Sequence, residues 1–288
     1  MILIDFSQIT YAAVLGHLAS IKKSSRPEDK LSVDLVRHMA LNSIHTNVKK
    51  FKRDYGEVII VLDDAHYWRR EYFPHYKANR KKNRDASQFN WPVIFSCMDT
   101  LKSEMKAHAL YKVLQVPGAE ADDIIGHIAQ VYGPSEKIKI ISGDGDFVQL
   151  QTNKNVTQWS PMLKKEVKDD FPVLALKQHI IRGDSGDGVP NILSPDDVFV
   201  SGGRQKPIME KKLIDWLNKK PEDFCNSGDM FRNFKRNETL IDLQNIPIPI
   251  RQLIGHAFDT TVHANRSQFM DYLVKSGLRE LTSSVGDF

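Results

Sequence analysis

Along this chain, short unbroken apolar runs alternate with longer stretches in which apolar positions recur every three or four residues. Residues 2–4 and 58–62 are aliphatic runs of strand length, and 138–141 is aliphatic apart from Lys139, the pattern of strands buried on both faces of a parallel sheet. Residues 31–52 carry Leu35, Met39, Leu41, Ile44 and Val48 at helical spacing, which predicts an amphipathic helix. Further helices are predicted over 91–108 and 121–132, with a short strand over 110–113. Strands separated by helices imply an α/β fold, with a mostly parallel central sheet covered by helices on both faces.

Past Trp159 the pattern changes. Helical stretches over 174–181, 208–218 and 267–275 are joined by loops containing Pro and Gly, which predicts a smaller, mainly helical domain. The boundary is placed between Arg182 and Gly183, giving an α/β domain over 1–182 and a helical domain over 183–288.

The 288 residues are 41% apolar and 26% charged, the balance of a globular protein and not of a disordered, collagenous or disulfide-framework chain. No apolar run approaches the roughly 18 residues a bilayer helix needs. The opening Met1-Ile-Leu-Ile-Asp5 has no basic leader, which argues against a secretory signal. Cys97 and Cys225 are too few for a thiolate zinc site and are expected to be reduced and buried. A soluble, cytoplasmic monomer without a membrane partner is the expectation. The ten histidines show no metal-binding spacing of the His-Glu-x-x-His kind.

Charge changes the picture more through placement than through its sum of +4. Nine of the 36 acids, namely Asp5, Asp63, Glu120, Asp122, Asp123, Asp144, Asp146, Asp184 and Asp187, fall in short clusters, leaving 27 elsewhere against 40 basic side chains. Asp5, Asp63 and Asp144 each follow a predicted strand. One aspartate so placed is ordinarily a turn or capping residue, but three should converge, because open α/β sheets bind ligands at the carboxyl ends of their strands. Glu120-Ala-Asp-Asp123 opens a helix, where capping explains one or two acids and not three. Ser142-Gly-Asp-Gly-Asp-Phe147 sets Asp144 and Asp146 on a glycine-flanked turn, and Gly183-Asp-Ser-Gly-Asp187 adds two more.

Two unit charges about 4 Å apart repel by roughly 4 kcal/mol at an effective dielectric of 20, so this cluster calls for cations. Mg²⁺, bound by a few carboxylates and retained waters, is the natural choice. A pair of such ions supports in-line phosphodiester hydrolysis. The segment around 66–90 supplies the opposite charge. His66-Tyr-Trp-Arg-Arg70 and 76–84 interleave aromatics with Arg69, Arg70, Lys77, Arg80 and Arg84, the composition of a surface that stacks bases and grips phosphates.

Together, Leu3-Ile-Asp-Phe-Ser-Gln8, Tyr67-Trp-Arg-Arg70, Tyr76-Lys77 with Asn79-Arg80, Glu120-Ala-Asp-Asp123, Ser142-Gly-Asp-Gly-Asp-Phe147, Gln158-Trp-Ser-Pro-Met162 and Gly183-Asp184 with Asp187 resemble the 5′-nuclease, or flap endonuclease, family in its phage ribonuclease H branch. The resemblance implies a PIN-like nuclease core, a basic arch and a helix-three-turn-helix motif beginning at Gly183. It implies two Mg²⁺ ions, with Mn²⁺ able to substitute. Asp5, Asp63, Glu120 and Asp122 would serve the first ion, and Asp122, Asp144, Asp146 and Asp187 the second. Asp123 and Asp184 would act directly or through metal-bound water. Lys77 would contact the reacting phosphate, Tyr76 would stack on a base, and Arg80 and Arg84 would belong to the arch admitting a 5′ end.

The implied substrates are RNA-DNA and DNA duplexes with 5′ ends or flaps, and the implied task is removal of RNA primers during DNA replication. Cellular members follow the Gly-Val-Pro turn directly with Gly-x-Gly-x-Lys and hold a monovalent cation such as K⁺. Here residues 191–200 intervene before Gly202-Gly-Arg-Gln-Lys206, and Arg204 and Lys206 stand as phosphate-binding candidates. A replication single-strand-binding protein or a sliding clamp is the candidate protein partner, although the clamp-binding pattern fails at Gly255 and Asp259. The segment 278–288 is expected to fray.

Overall fold

The computed structural model describes residues 1–21, 31–87, 89–283 and 285–288. Six strands form one sheet: β1 (Ile2–Asp5), β2 (Val58–Leu62), β3 (Lys112–Gln115), β4 (Ile138–Ile141), β5 (Val156–Ser160) and β6 (Lys165–Val167), in the order β3-β2-β1-β4-β5-β6. The first five are mutually parallel and β6 closes the edge antiparallel to β5. This is the expected α/β class. Strand β3 begins two residues later than the apolar run 110–113 suggests, because Ile59 of β2 takes Lys112 as its partner.

Helices α1 (Phe6–Ile21), α2 (Val33–Tyr55) and α5 (Trp91–His108) cover one face, and α6 (Ala121–Tyr132) covers the other. Between β2 and α5 lie α3 (Trp68–Tyr72) and α4 (Asn79–Asp85). Local chemistry sets several boundaries. Ser32 caps α2 by accepting from the Leu35 amide at 3.2 Å, and Gly56 ends that helix with φ at +79°. Glu120 and Asp123 form a capping box at the start of α6.

Alternation within the strands sorts the core. Ile2, Ile4, Ile60 and Leu62 point to one face, and Leu3, Ile59, Val61 and Ile140 to the other. After the sheet the chain is helical: α7 (Pro172–Arg182), α8 (Glu210–Leu217), α9 (Pro221–Phe224), α10 (Gly228–Ile241), α11 (Ile248–Thr260), α12 (Arg266–Lys275) and α13 (Arg279–Thr282). A third core joins Ile180, Ile181, Leu213, Phe234 and Leu240 of these helices to Phe73 and Tyr76 of the basic segment.

The last helices return to the sheet: Ile254 and Phe258 of α11 pack on one face, and Phe269, Tyr272 and Leu273 of α12 on the other. The segment expected to fray is docked. Leu278, Leu281, Val285 and Phe288 are buried, and Phe288 stacks on His45 at 4.7 Å. Cys97 is buried and Cys225 half-buried, both as free thiols. Among the described residues, no helix is long and apolar enough to cross a membrane.

Candidate active site

Strand order places the topological switch between the central strand β1 and its neighbour β4, where an open α/β sheet presents a crevice at its carboxyl edge. Asp5 ends β1 there. Its Oδ1 accepts from the Gln8 amide at 3.1 Å, and its Oδ2 accepts from Ser142 Oγ, beyond the end of β4, at 3.0 Å. Asp63 follows β2 and accepts from the Ala121 amide at 2.9 Å, which ties it to the start of α6. Asp144 accepts from the Asp146 amide at 3.0 Å and caps the 3₁₀ turn Gly145–Thr152. Gln158 of β5 braces that turn, its amide donating to the backbone carbonyls of Ser142 at 2.9 Å and of Asp144.

These carboxylates form one electrostatic unit. Burial, then the charge of Asp63, pushes Asp5 up to about 7. Asp122 is raised well above the usual carboxylate range by burial and by Asp144, Asp5 and Glu120. Asp146 is pushed up to about 7 by burial and by Asp144, Asp184 and Asp187, against the opposing pull of His179. At Asp122 and Asp146 burial and like charge outweigh the opposing pull of Lys77 and His179. The donors are oxygens, crowded and short of cationic partners, and this set fits hard divalent cations.

Other acids of the nine are already compensated. Arg69 is 2% exposed, and its Nη1 lies 2.9 Å from Glu120 Oε2 and 2.8 Å from Asp123 Oδ1, while its Nε donates to the Leu240 carbonyl at 2.8 Å. Asp123 is fully buried and accepts from Trp68 Nε1 at 3.2 Å and from the Glu120 amide at 2.9 Å. The sequence reading of Arg69 as a nucleic-acid contact is therefore corrected. A guanidinium sealed among two carboxylates and a carbonyl cannot reach a phosphate; it holds the head of α6 in place. Asp123 likewise spends its oxygens on that clamp and not on the open site.

Tyr76 is corrected in the same way. It is 3% exposed, and its hydroxyl donates to Asp187 Oδ2 at 2.7 Å and to Glu120 Oε2 at 3.1 Å, so its ring lies in the third core and cannot stack on a base. Lys77 lies beside two of the nine acids. Its Nζ lies 2.5 Å from Glu120 Oε1 and 3.4 Å from Asp187 Oδ2. Burial works against its charge, but Asp187 and Glu120 outweigh burial and raise its pKa.

The Lys77 backbone adopts φ +57°, a left-handed conformation that costs a lysine roughly 1–2 kcal/mol. Its amide donates to the Asp187 carbonyl at 2.7 Å, which holds that conformation. Arg80 Nη2 lies 2.5 Å from Asp187 Oδ1. Arg84 sits on α4 with its guanidinium 5.4 Å from the Phe95 ring, and Arg70 is exposed over Tyr67 at 5.1 Å. Arg204 and Lys206 are exposed on the irregular loop before α8.

Asp184 and Asp187 bracket a tight loop closed by reciprocal backbone bonds between Asp184 and Val189 at 2.8 and 2.7 Å. Gly183 opens it at φ +67°, and a Cβ there would lie 2.4 Å from the Val189 carbonyl oxygen, so no side chain fits. His179 of α7 was not singled out from sequence. Its Nδ1 lies 3.3 Å from Asp146 and its Nε2 3.3 Å from Asp184. Burial opposes its protonation, but both acids raise its pKa. No spacing rule could have found it, because its partners lie 33 residues before it and five after it.

An open parallel sheet with a carboxylate-lined crevice under a basic helical segment defines the class of metal-dependent nucleases. The chain belongs to the 5′–3′ exonuclease family. The profile of the 5′–3′ exonuclease N-terminal, resolvase-like domain matches residues 1–177, and that of the T4 RNase H C-terminal domain matches residues 172–288. The ribonuclease H of Enterobacteria phage T4 is 32% identical over 296 residues, covering 99% of this chain and 95% of the relative. A 5′–3′ exonuclease of Aquifex aeolicus is 31% identical over 162 residues, covering 53% of this chain and 52% of its own. The fold is shared with a bacteriophage T5 flap endonuclease solved as a complex with DNA and metal ions, at TM-score 0.59 and 17% identity over 90% of this chain and 97% of that one. Zinc-bound T5 5′-exonuclease matches at TM-score 0.59 and 17% identity, over 90% of this chain and 98% of the other.

Proposed function

We propose that the protein is a Mg²⁺-dependent 5′ to 3′ exonuclease and flap endonuclease that cuts RNA or DNA 5′ ends annealed to a DNA template, and so removes RNA primers during replication. The observation that carries this reading is the crevice itself: Asp5, Asp122 and Asp146 are raised by burial and by neighbouring acids, and Lys77 and Arg80 pair with the adjoining Glu120 and Asp187. Family membership, the T4 ribonuclease H relative and the DNA- and metal-bound T5 fold support it.

Asp5, Asp63, Glu120 and Asp122 would hold one ion, and Asp122, Asp144, Asp146 and Asp187 the other. Bound there, the ions supply a nucleophile from water near neutral pH and neutralise charge on the leaving oxygen. The chain's own work is orientation. Lys77 and Arg80, now paired with Glu120 and Asp187, would exchange those partners for the scissile and neighbouring phosphates. Arg70 and Arg84 would line the arch. The domain beginning at Gly183, with a helix-three-turn-helix and a K⁺ site, would hold duplex backbone through Arg204 and Lys206.

The test is cleavage of 5′-labelled RNA-DNA, DNA-DNA and flapped duplexes with and without Mg²⁺. Asp146→Asn should abolish cutting while duplex binding in Ca²⁺ persists; unaltered cutting would remove Asp146 from the site. Lys77→Ala should slow single-turnover cleavage by on the order of 100-fold. A loss confined to affinity would contradict its place at the reacting phosphate.

A further inference from the structure

Among the described residues, His179 joins Asp146 and Asp184 in a group whose side chains could hold a metal ion. Imidazole Nδ1, imidazole Nε2 and one carboxylate oxygen each from Asp146 and Asp184 gather so closely that one donor atom from each of the three residues lies within 4.8 Å of the others. All three side chains are partly open, at 28%, 23% and 26% exposure for His179, Asp146 and Asp184. His179 also lines a groove of about 530 Å³ with Phe171, Leu174, Gln178 and Arg182. The rotation of α7 is fixed from behind, since Ile180 and Ile181 are buried in the third core and the Ile180 carbonyl accepts from Asn237 Nδ2 at 2.8 Å.

The two imidazole nitrogens face different carboxylates, and this asymmetry suggests a division of labour. A histidine bound to a metal through one nitrogen commonly has the other held by a carboxylate, which fixes the ring and raises its basicity. Asp184 supplies that hold at Nε2, and the same acid is kept in place by accepting the Asp187 amide at 3.0 Å. Nδ1 is left facing Asp146 Oδ1 at 3.3 Å. Two neighbouring donors on an octahedral cation, each about 2.1 Å from it, lie about 3.0 Å apart, so the pair needs to close by only a few tenths of an ångström.

Resting on the nuclease reading above, we propose that Nδ1 of His179 is a ligand of the cation held by Asp146, with Asp184 orienting the ring, so that this position takes Mn²⁺ in preference to Mg²⁺. The preference follows from donor chemistry: Mg²⁺ is served by oxygen, whereas imidazole favours the softer first-row divalent ions.

Pulsed electron paramagnetic resonance of Mn²⁺ added to the full chain tests this without any catalytic assay. The expected spectrum shows ¹⁴N coupling from a directly bound imidazole. In His179→Gln the coupling disappears, and calorimetry shows Mn²⁺ affinity falling about 10-fold or more while Mg²⁺ affinity falls less. Bound Mn²⁺ without coupled nitrogen in the wild-type protein, a result that needs no variant to fold, overturns the proposal alone. So does coupling that survives in His179→Gln. A protein that binds no Mn²⁺ overturns the nuclease reading and this proposal together.

Discussion

Two carboxylate groups in this molecule behave in opposite ways. On one face of the sheet, Glu104 of α5 accepts from Arg37 Nε at 2.8 Å, from Arg37 Nη2 at 2.6 Å and from the Tyr272 hydroxyl at 2.8 Å. Burial alone would raise its pKa, but these bonds more than offset that and hold it below the usual range. At the carboxyl edge of the sheet, Asp5, Asp122 and Asp146 are raised because burial and neighbouring acids act without a matching cation. The first group is a finished ion pair that joins α2, α5 and α12. The second is an unfinished one, and such an imbalance in a cleft is the mark of a candidate functional site.

The largest effect should come from completing that charge artificially. Asp144→Asn is expected to cut the cleavage rate at least about 100-fold while leaving the melting temperature of the metal-free protein unchanged or higher. A large fall in melting temperature would move Asp144 into the structural group. Glu104→Ala should do the reverse: it leaves Arg37 without its bidentate partner and destabilises the fold by about 3 kcal/mol in urea titration, with cleavage by the folded protein preserved.

Acidity separates the two groups again. Asp5 and Asp146, lifted from an ordinary value of 3.8 to about 7, bind protons more readily folded than unfolded. Their contribution is thus greatest below about pH 4 and is lost as pH rises through about 7. Metal-free protein should lose stability across that window, and a divalent cation should restore it. Glu104 has the opposite sign: its contribution is present above the ordinary glutamate range and disappears as pH falls through its lowered value. A melting curve insensitive to pH between 5 and 8 without metal would contradict the charge imbalance. The smallest effect belongs to the exposed cations. Arg70→Ala and Lys206→Ala should each lower the salt slope of duplex binding by about one ion, and a slope untouched by both would take that surface out of the substrate path.

The sheet was largely readable because β1, β2 and β4 are mostly aliphatic, interrupted only by Lys139 in β4 and by Asp5 at the end of β1, and because acids that follow strands can converge only at one edge. Helix α1 was hidden, since its apolar residues are spread around its circumference and leave no stripe to detect. Arg69 and Tyr76 were read as outward-facing from their basic, aromatic neighbourhood. Their burial depends on Glu120 and Asp123, more than 40 residues away in the chain, and local composition does not carry that information. The same holds for His179, whose role is created entirely by how α7 packs.

Phe73 and Tyr76 belong to the same core as Leu213, Phe234 and Leu240, and Lys77 follows them directly. Lys77 is thus anchored through its neighbours to the C-terminal lobe as well as, through its own Nζ, to Glu120 at the head of α6. Warming should therefore uncouple that lobe and silence catalysis while the β-sheet signal is still intact, so inactivation would report the melting of a region that contributes few of the acids.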